Sequence, residues 1–298
     1  MTTCPSEAPA DSLARLLSKG AAYLCRHGVS ADEAQTQAEI LFSEGLGFSR
    51  VDLLLRQQIR LSPERLATLR NTFQRVAAGE PIQYVVGHWP FHDIELKVDA
   101  RALIPRPETE ELVERVLRHP LWARAQTLAD IGTGTGAIVL ALAAARRRRG
   151  IGPTRFIAVD LSADALALAQ ENAAALGLAD TVAFRLGNGA AALLPDRCDI
   201  LVSNPPYIAS AAVDALPPLI REHEPRLALD GGEDGLIMIR QLLLDATQVL
   251  NPGGRLFLEV GDEQGLSMRR LLDYAGYAQV VIARDFAGHD RFAEGSLL

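Results

Sequence analysis

A short apolar run, a burst of glycine and an apolar helix follow one another without a break between residues 126 and 145. Residues 126–131 read as a buried strand, Gly132-Thr133-Gly134-Thr135-Gly136 as a tight turn, and 137–145 as a helix. That order forms the first half of a doubly wound α/β unit. Glycine is needed where the turn is tight and a ligand approaches the backbone with no Cβ in the way. About 24 residues past Gly136 a second strand, 154–159, ends in Asp160, the spacing of a carboxylate that holds ribose hydroxyls. Asp160 could instead open the next helix, but Ser162 competes for that cap. The glycine spacing is G-x-G-x-G rather than the dinucleotide G-x-G-x-x-G, and the Lys-Ser/Thr of a phosphate loop is missing.

Downstream, strands expected at 127–131, 155–160, 182–186, 199–203, 255–260 and 279–284 alternate with helices. Such alternation implies a parallel sheet covered on both faces. Asn251-Pro252-Gly253-Gly254 turns the chain into the fifth strand, and 288–297 suits an antiparallel closing hairpin. Upstream, residues 11 to 79 are helical in pattern. Leu13, Leu16, Leu17 and Leu24 share a face. Ser30 to Glu33 reads as a capping box, Ser49 as a third cap, and Ser62-Pro63 as a fourth helix start that runs to Gly79. Between the halves, 83–99 reads as a hairpin-like connector. The stretch 104–108 is too proline-rich for a helix, which then begins at Thr109; Arg106 and its prolines either cover a pocket or form a stiff linker.

Asn204-Pro205-Pro206-Tyr207 ends the expected strand 199–203 with a rigid polar clamp. Two prolines fix φ and supply no N–H donor, and Pro205 pushes Asn204 toward extended geometry. The Asn204 side-chain oxygen and the Pro205 carbonyl can then accept both hydrogens of a planar NH2 group. The alternative is a plain turn. An amine clamp beside a glycine loop and a ribose acid fits S-adenosyl-L-methionine, which needs no pyrophosphate cradle. Tyr207 is either a wall for the substrate amide or core packing.

Asp130-Ile131-Gly132-Thr133-Gly134-Thr135-Gly136, Ala158-Val159-Asp160 and Ser203-Asn204-Pro205-Pro206-Tyr207-Ile208 together resemble the HemK family of protein glutamine methyltransferases. Gly79-Glu80-Pro81, Ile104-Pro105-Arg106-Pro107-Glu108-Thr109-Glu110, Glu224-Pro225-Arg226, Leu229-Asp230-Gly231-Gly232-Glu233-Asp234-Gly235-Leu236 and Arg284-Asp285-Phe286-Ala287-Gly288-His289-Asp290-Arg291 match as well. The resemblance is close over roughly 79–295, and the runs 104–110 and 229–236 are similar to the release factor branch. It implies a class I methyltransferase domain, Rossmann-like with a mostly parallel doubly wound sheet, at 109–298. A helical substrate-recognition domain at 1–80 and a connector at 81–108 precede it. The implied substrate is the glutamine of the Gly-Gly-Gln motif in peptide chain release factors. Asn204, Pro205, Pro206 and Tyr207 would hold the substrate; Gly132, Thr133, Gly134, Thr135, Gly136, Asp160, Asn188 and Asn204 would hold the cofactor. Asn188 stands where the family usually carries an acid for the adenine amino group, and Gly189 where a bulky residue is common. An amide oxygen still accepts that hydrogen bond. Glu222, Glu224 and Arg226 would brace the clamp loop.

The net charge is −7 and the three cysteines, Cys4, Cys25 and Cys198, have no metal-ligand spacing. That argues for a reducing compartment, with cytoplasm as the default. Neither a signal peptide nor a membrane span is visible. The basic run Arg146 to Arg149 is expected to be a solvated helix terminus. His88, His92, His223 and His289 are assigned no catalytic role. The expected protein is a monomer without stable nucleic-acid binding. Two other functions compete. An exocyclic-amine methyltransferase for adenine or guanine would use the same clamp, but a flipped base needs stacking and phosphate contacts, and aromatics are 5% of the chain with no basic stripe near the clamp. A catalytically silent module binding release factors or ribosomes is disfavoured by intact Asn204 and glycines, and cofactor calorimetry would discriminate.

Overall fold

Serine hydroxyls start three of the N-terminal helices in the computed structural model, which describes residues 11–152 and 154–298. Ser30 accepts the N–H of Glu33, Ser49 that of Asp52 and Ser62 that of Arg65. Each such cap contributes about 1 kcal/mol by satisfying one orphan donor. The helices are α1 (Leu13–Arg26), α2 (Ala31–Leu46), α3 (Arg50–Leu55), α4 (Pro63–Ala77) and α5 (Ile82–Val86). Ser49 and Asp52 close a reciprocal capping box, and Pro63 takes the first turn of α4, where its missing N–H costs nothing. This unit has its own core, in which Phe42 and Phe73 meet edge-on with ring centroids 5.6 Å apart. The chain divides into two compact units after Gly87. Cys4 lies outside the described residues.

The second unit opens with a hairpin, β1 (His88–Phe91) and β2 (Ile94–Lys97). The expected connector is therefore part helix, because Ile82 to Val86 form α5 before the hairpin begins. The helix α6 (Pro107–Arg118) starts two residues earlier than expected: Pro107 sits in its first turn, the one place where a helix accepts proline. Then follow β3 (Thr127–Ile131), α7 (Ala137–Arg148), β4 (Arg155–Asp160), α8 (Ala163–Ala175), β5 (Val182–Leu186) and β6 (Cys198–Ser203). Two single-turn helices, α9 (Ser210–Val213) and α10 (Pro218–Arg221), lead to α11 (Ile237–Val249) and β7 (Leu250–Glu259). The chain ends with α12 (Gly265–Tyr274), β8 (Tyr277–Arg284) and β9 (Asp290–Leu297).

Seven strands form one sheet in the order β5-β4-β3-β6-β7-β9-β8. The pairs from β5 through β7 are parallel, while β9 inserts antiparallel between β7 and β8. The fold is thus doubly wound α/β, mostly parallel, with helices on both faces. The turn Asn251-Pro252-Gly253-Gly254 is taken up inside β7: the register jumps from Cys198 opposite Leu250 to Ile200 opposite Arg255. The strand order reverses between β3 and β6, and ligands of such sheets bind at the carboxyl ends flanking that reversal. Ile131 pairs with Ser203 there, so the glycine loop and the Asn-Pro-Pro-Tyr segment leave the sheet side by side.

Arg146 corrects one expectation. It is 4% exposed, and its guanidinium donates to the carbonyls of Gly152, Trp122 and Ala125 while lying 5.0 Å from the Trp122 ring centroid. A planar five-donor group can gather three carbonyls at once, which turns the first arginine of the run into an internal staple. Arg147 reaches the carbonyls of Gly177 and Leu176, and Arg148 pairs with Asp93.

Candidate active site

Gly132, Thr133, Gly134, Thr135, Asp160, Asn188, Asn204, Pro205 and Pro206 line a single pocket at the carboxyl ends of β3, β4, β5 and β6. The loop glycines have φ of 72° (Gly132), 55° (Gly134) and 81° (Gly136), a region that L side chains rarely enter. Gly136 is not on the pocket wall. It is the N-cap of α7, where a Cβ would lie 2.8 Å from Leu140.

Asp160 ends β4 with its carboxylate in two backbone hydrogen bonds, from Gly134 N–H at 2.8 Å and Ser162 N–H at 2.9 Å. Each oxygen has spent one lone pair and keeps another for a ribose hydroxyl. Ser162 caps α8 through Ala165 N–H, leaving Asp160 free of that task. Asn188 is exposed on the rim, and the side chains of Leu161, Leu227 and Met238 supply apolar wall. The lining therefore fits a nucleoside with a charged tail: acid for the ribose, bare backbone for close approach, apolar surface for a base.

Beneath the loop, Asp130 is fully buried. One carboxyl oxygen accepts from the Thr133 hydroxyl at 2.7 Å and from Val139 N–H at 3.3 Å; the other has no partner. Burial pushes its pKa up to about 7.

The Asn204 side-chain NH2 donates to the Thr109 hydroxyl at 3.0 Å, and that hydroxyl donates to Glu259 Oε2 at 2.7 Å. Tyr207 donates to the other Glu259 oxygen at 3.2 Å. Burial raises Glu259 to about 7 against the opposing pull of these two hydrogen bonds and of Arg291. Among the described residues nothing donates to the Pro205 carbonyl. Tyr207 does not line the pocket; its ring packs against the sheet core and faces a neighbouring groove with Gln264 and Arg291.

Two further segments hold the walls in place. Glu224 is buried and pairs with Arg106 while accepting Ile104 N–H at 3.2 Å, so it braces the Ile104–Arg106 wall rather than the clamp itself. Arg226 pairs with Asp214 and Asp230, and among the described residues Glu222 pairs with its neighbour Arg221 alone. The 229–236 loop wraps the clamp: Ile208 N–H donates to Leu229 and Gly231 N–H to Ile208. Thr109 and Glu259 carry the polar support of Asn204, and neither was assigned a role from sequence. The available signal was a lone acid inside the apolar run Leu256-Phe257-Leu258-Glu259-Val260, since a buried carboxyl requires partners. No cluster of three or more His, Cys, Asp or Glu able to hold a metal occurs among the described residues. Cys25 is exposed, and Cys198 is buried with its thiol pushed up to about 12.

A doubly wound sheet with a ribose acid, a glycine cradle and an amide acceptor at its switch point defines a nucleoside-cofactor transferase of the class I methyltransferase type. Comparison with known proteins agrees. Residues 15–87 match the PrmC N-terminal domain and residues 108–233 the methyltransferase small domain. The release factor glutamine methyltransferase of Moorella thermoacetica is 41% identical over 94% of this chain and 96% of its own length. That of Caulobacter vibrioides is 38% identical over 89% and 90%. The chain belongs to the release factor glutamine methyltransferase family. The hMettl16 catalytic domain, solved with MAT2A 3′UTR hairpin 1, shares the fold at TM-score 0.54 and 15% identity, covering 93% of this chain and 91% of that one.

Proposed function

We propose that the chain transfers a methyl group from S-adenosyl-L-methionine to the side-chain amide nitrogen of the glutamine in the Gly-Gly-Gln motif of peptide chain release factors. Family membership supports the substrate class. The observation that supports the chemistry is Asn204 sharing one pocket with Asp160 and the glycine loop, its NH2 turned onto Thr109.

A glutamine amide nitrogen is a weak nucleophile, because its lone pair is delocalised into the carbonyl. When bound, S-adenosylmethionine supplies a methyl group on positively charged sulfur. The chain supplies position. Asn204 Oδ1 and the Pro205 carbonyl each accept one hydrogen of the substrate NH2 and aim its lone pair. Orientation of this kind is worth up to about 7–11 kcal/mol in favourable cases. The same two acceptors stabilise positive charge that grows on nitrogen as the C–N bond forms. The methylated amide is then strongly acidic and sheds its proton, so no general base is required. Asp160 holds ribose hydroxyls, residues Gly132 to Gly136 shape the cradle, and Asn188 accepts from the adenine amino group. Pro206 keeps the clamp stiff, and Tyr207, packed against the sheet core and bonded to Glu259, anchors its far end.

The N-terminal helical unit is assigned to holding the protein substrate. The protein is taken as a cytoplasmic monomer without stable nucleic-acid binding; the net charge of −7 supports the last point. No helix among the described residues is long and apolar enough to cross a membrane. Asn204→Ala tests the clamp. It should retain cofactor binding, yet turn over a purified release factor about 10²–10³-fold more slowly. Wild-type turnover would refute the assignment. Asp160→Ala should weaken cofactor binding in calorimetry, and an unchanged dissociation constant would remove Asp160 from the ribose site.

A further inference from the structure

We infer that Thr109 and Glu259 are positioning residues that decide which end of the Asn204 carboxamide faces the methyl-transfer pocket. The inference deepens the clamp reading of Asn204 and rests on it. The oxygen and NH2 ends of a carboxamide have nearly the same shape and opposite hydrogen-bonding character. The clamp works only with the oxygen end forward. Turned by half a rotation, the group would point two donors at a substrate NH2 that is itself a donor. Nothing in Asn204-Pro205-Pro206-Tyr207 alone prevents that rotation.

The polarity is set from behind. A hydroxyl has one hydrogen, and Thr109 commits it to Glu259 Oε2 at 2.7 Å. The Thr109 oxygen can then only accept, and the only donor the Asn204 side chain offers is its NH2, found at 3.0 Å. Oδ1 is left for the pocket that Asn204 lines. Tyr207 commits its own hydrogen to the second Glu259 oxygen, so both ends of the tetrapeptide are tied to one carboxylate. Thr109 is 4% and Glu259 1% exposed, which keeps water from substituting for either partner. The sheet register explains the meeting: Ser203 on β6 pairs with Leu258 on β7, placing Asn204 and Glu259 one step further along neighbouring strands. Thr109 reaches them from the first turns of α6.

Thr109→Val removes the hydroxyl with almost no change in shape, and Thr109→Ser restores it. The expected result with release factor as substrate is a kcat lowered about 10–100-fold in Thr109→Val. The KM for release factor and the calorimetric affinity for S-adenosylmethionine should stay within about twofold, and Thr109→Ser should recover most of the rate. Glu259→Met, read in the same assay, should show a similar loss, and the double variant should add little to either, as expected for one chain of hydrogen bonds. Wild-type kcat in Thr109→Val, or a fully additive double variant, overturns the relay while an inactive Asn204→Ala still upholds the clamp. Wild-type turnover in Asn204→Ala overturns the clamp instead.

Discussion

Asp130 keeps a carboxyl group where water cannot reach it, with one oxygen unpartnered and the Asp160 charge nearby. Its folded-state pKa of about 7 lies above the ordinary 3.8. The folded protein therefore holds a proton that the unfolded chain has lost, and stability from this group fades as pH rises from about 4 through about 7. Asparagine has no such proton. The melting temperature of Asp130→Asn minus that of wild type should accordingly rise across that window; a flat or falling difference in thermal melts would contradict the assignment. Glu259 titrates in the same region, faced by Thr109 and Glu108 of α6, Tyr207 of the clamp and Arg291 of β9. Once protonated it can donate to Thr109, which frees the Thr109 hydroxyl to donate to Asn204 Oδ1 and turns the amide. Wild-type kcat should fall as pH drops through about 7, and Glu259→Gln should lack that limb. A pH–rate profile with the same limb in both proteins would contradict this.

The loop that carries Leu229 to Leu236 acts as a belt around the clamp. Gly235 has φ of +72° and passes so close to Tyr207 that a Cβ would lie 2.3 Å from the Tyr207 carbonyl oxygen. Gly253, in the β7 turn, has φ of +76° and open space around it. Gly253→Ala should thus cost only the backbone strain, about 1–2 kcal/mol in chemical denaturation. Gly235→Ala should cost more and also lower kcat, because the belt must lift off Tyr207; equal losses in the two variants would contradict the contact. At this scale much was legible beforehand. The strand, glycine turn and helix at 126–145 appear as β3, loop and α7 because local periodicity and glycine geometry act over a few residues. The serine caps of α2, α3 and α4 were readable for the same reason. Arg146 was not, since its carbonyl partners at Trp122 and Ala125 are brought in by packing rather than spacing. The Thr109–Glu259 pair spans 150 residues and exists only once β7 lies beside β6. The place of β9 between β7 and β8 is likewise a pairing choice that strand patterns leave open.

On the scale of the molecule, the lining of the candidate active-site pocket is drawn entirely from the unit that begins at His88, while the described residues of the unit before it are mainly helical with a separate core. This division suits an enzyme whose small ligand needs one rigid crevice and whose protein substrate needs additional surface. Relatives aligned along nearly the whole length, 94% of this chain in one case, carry both parts together. The central claim is narrower than the family: two fixed acceptors, Asn204 Oδ1 and the Pro205 carbonyl, orient a glutamine NH2 for methylation. Tandem mass spectrometry of a purified release factor, incubated with the enzyme and isotopically labelled S-adenosylmethionine, tests it most directly. The predicted result is one labelled methyl on the Gly-Gly-Gln amide nitrogen with wild type, and almost none with an Asn204→Ala variant that still binds cofactor. Label on another residue, or equal labelling by the variant, would contradict the account.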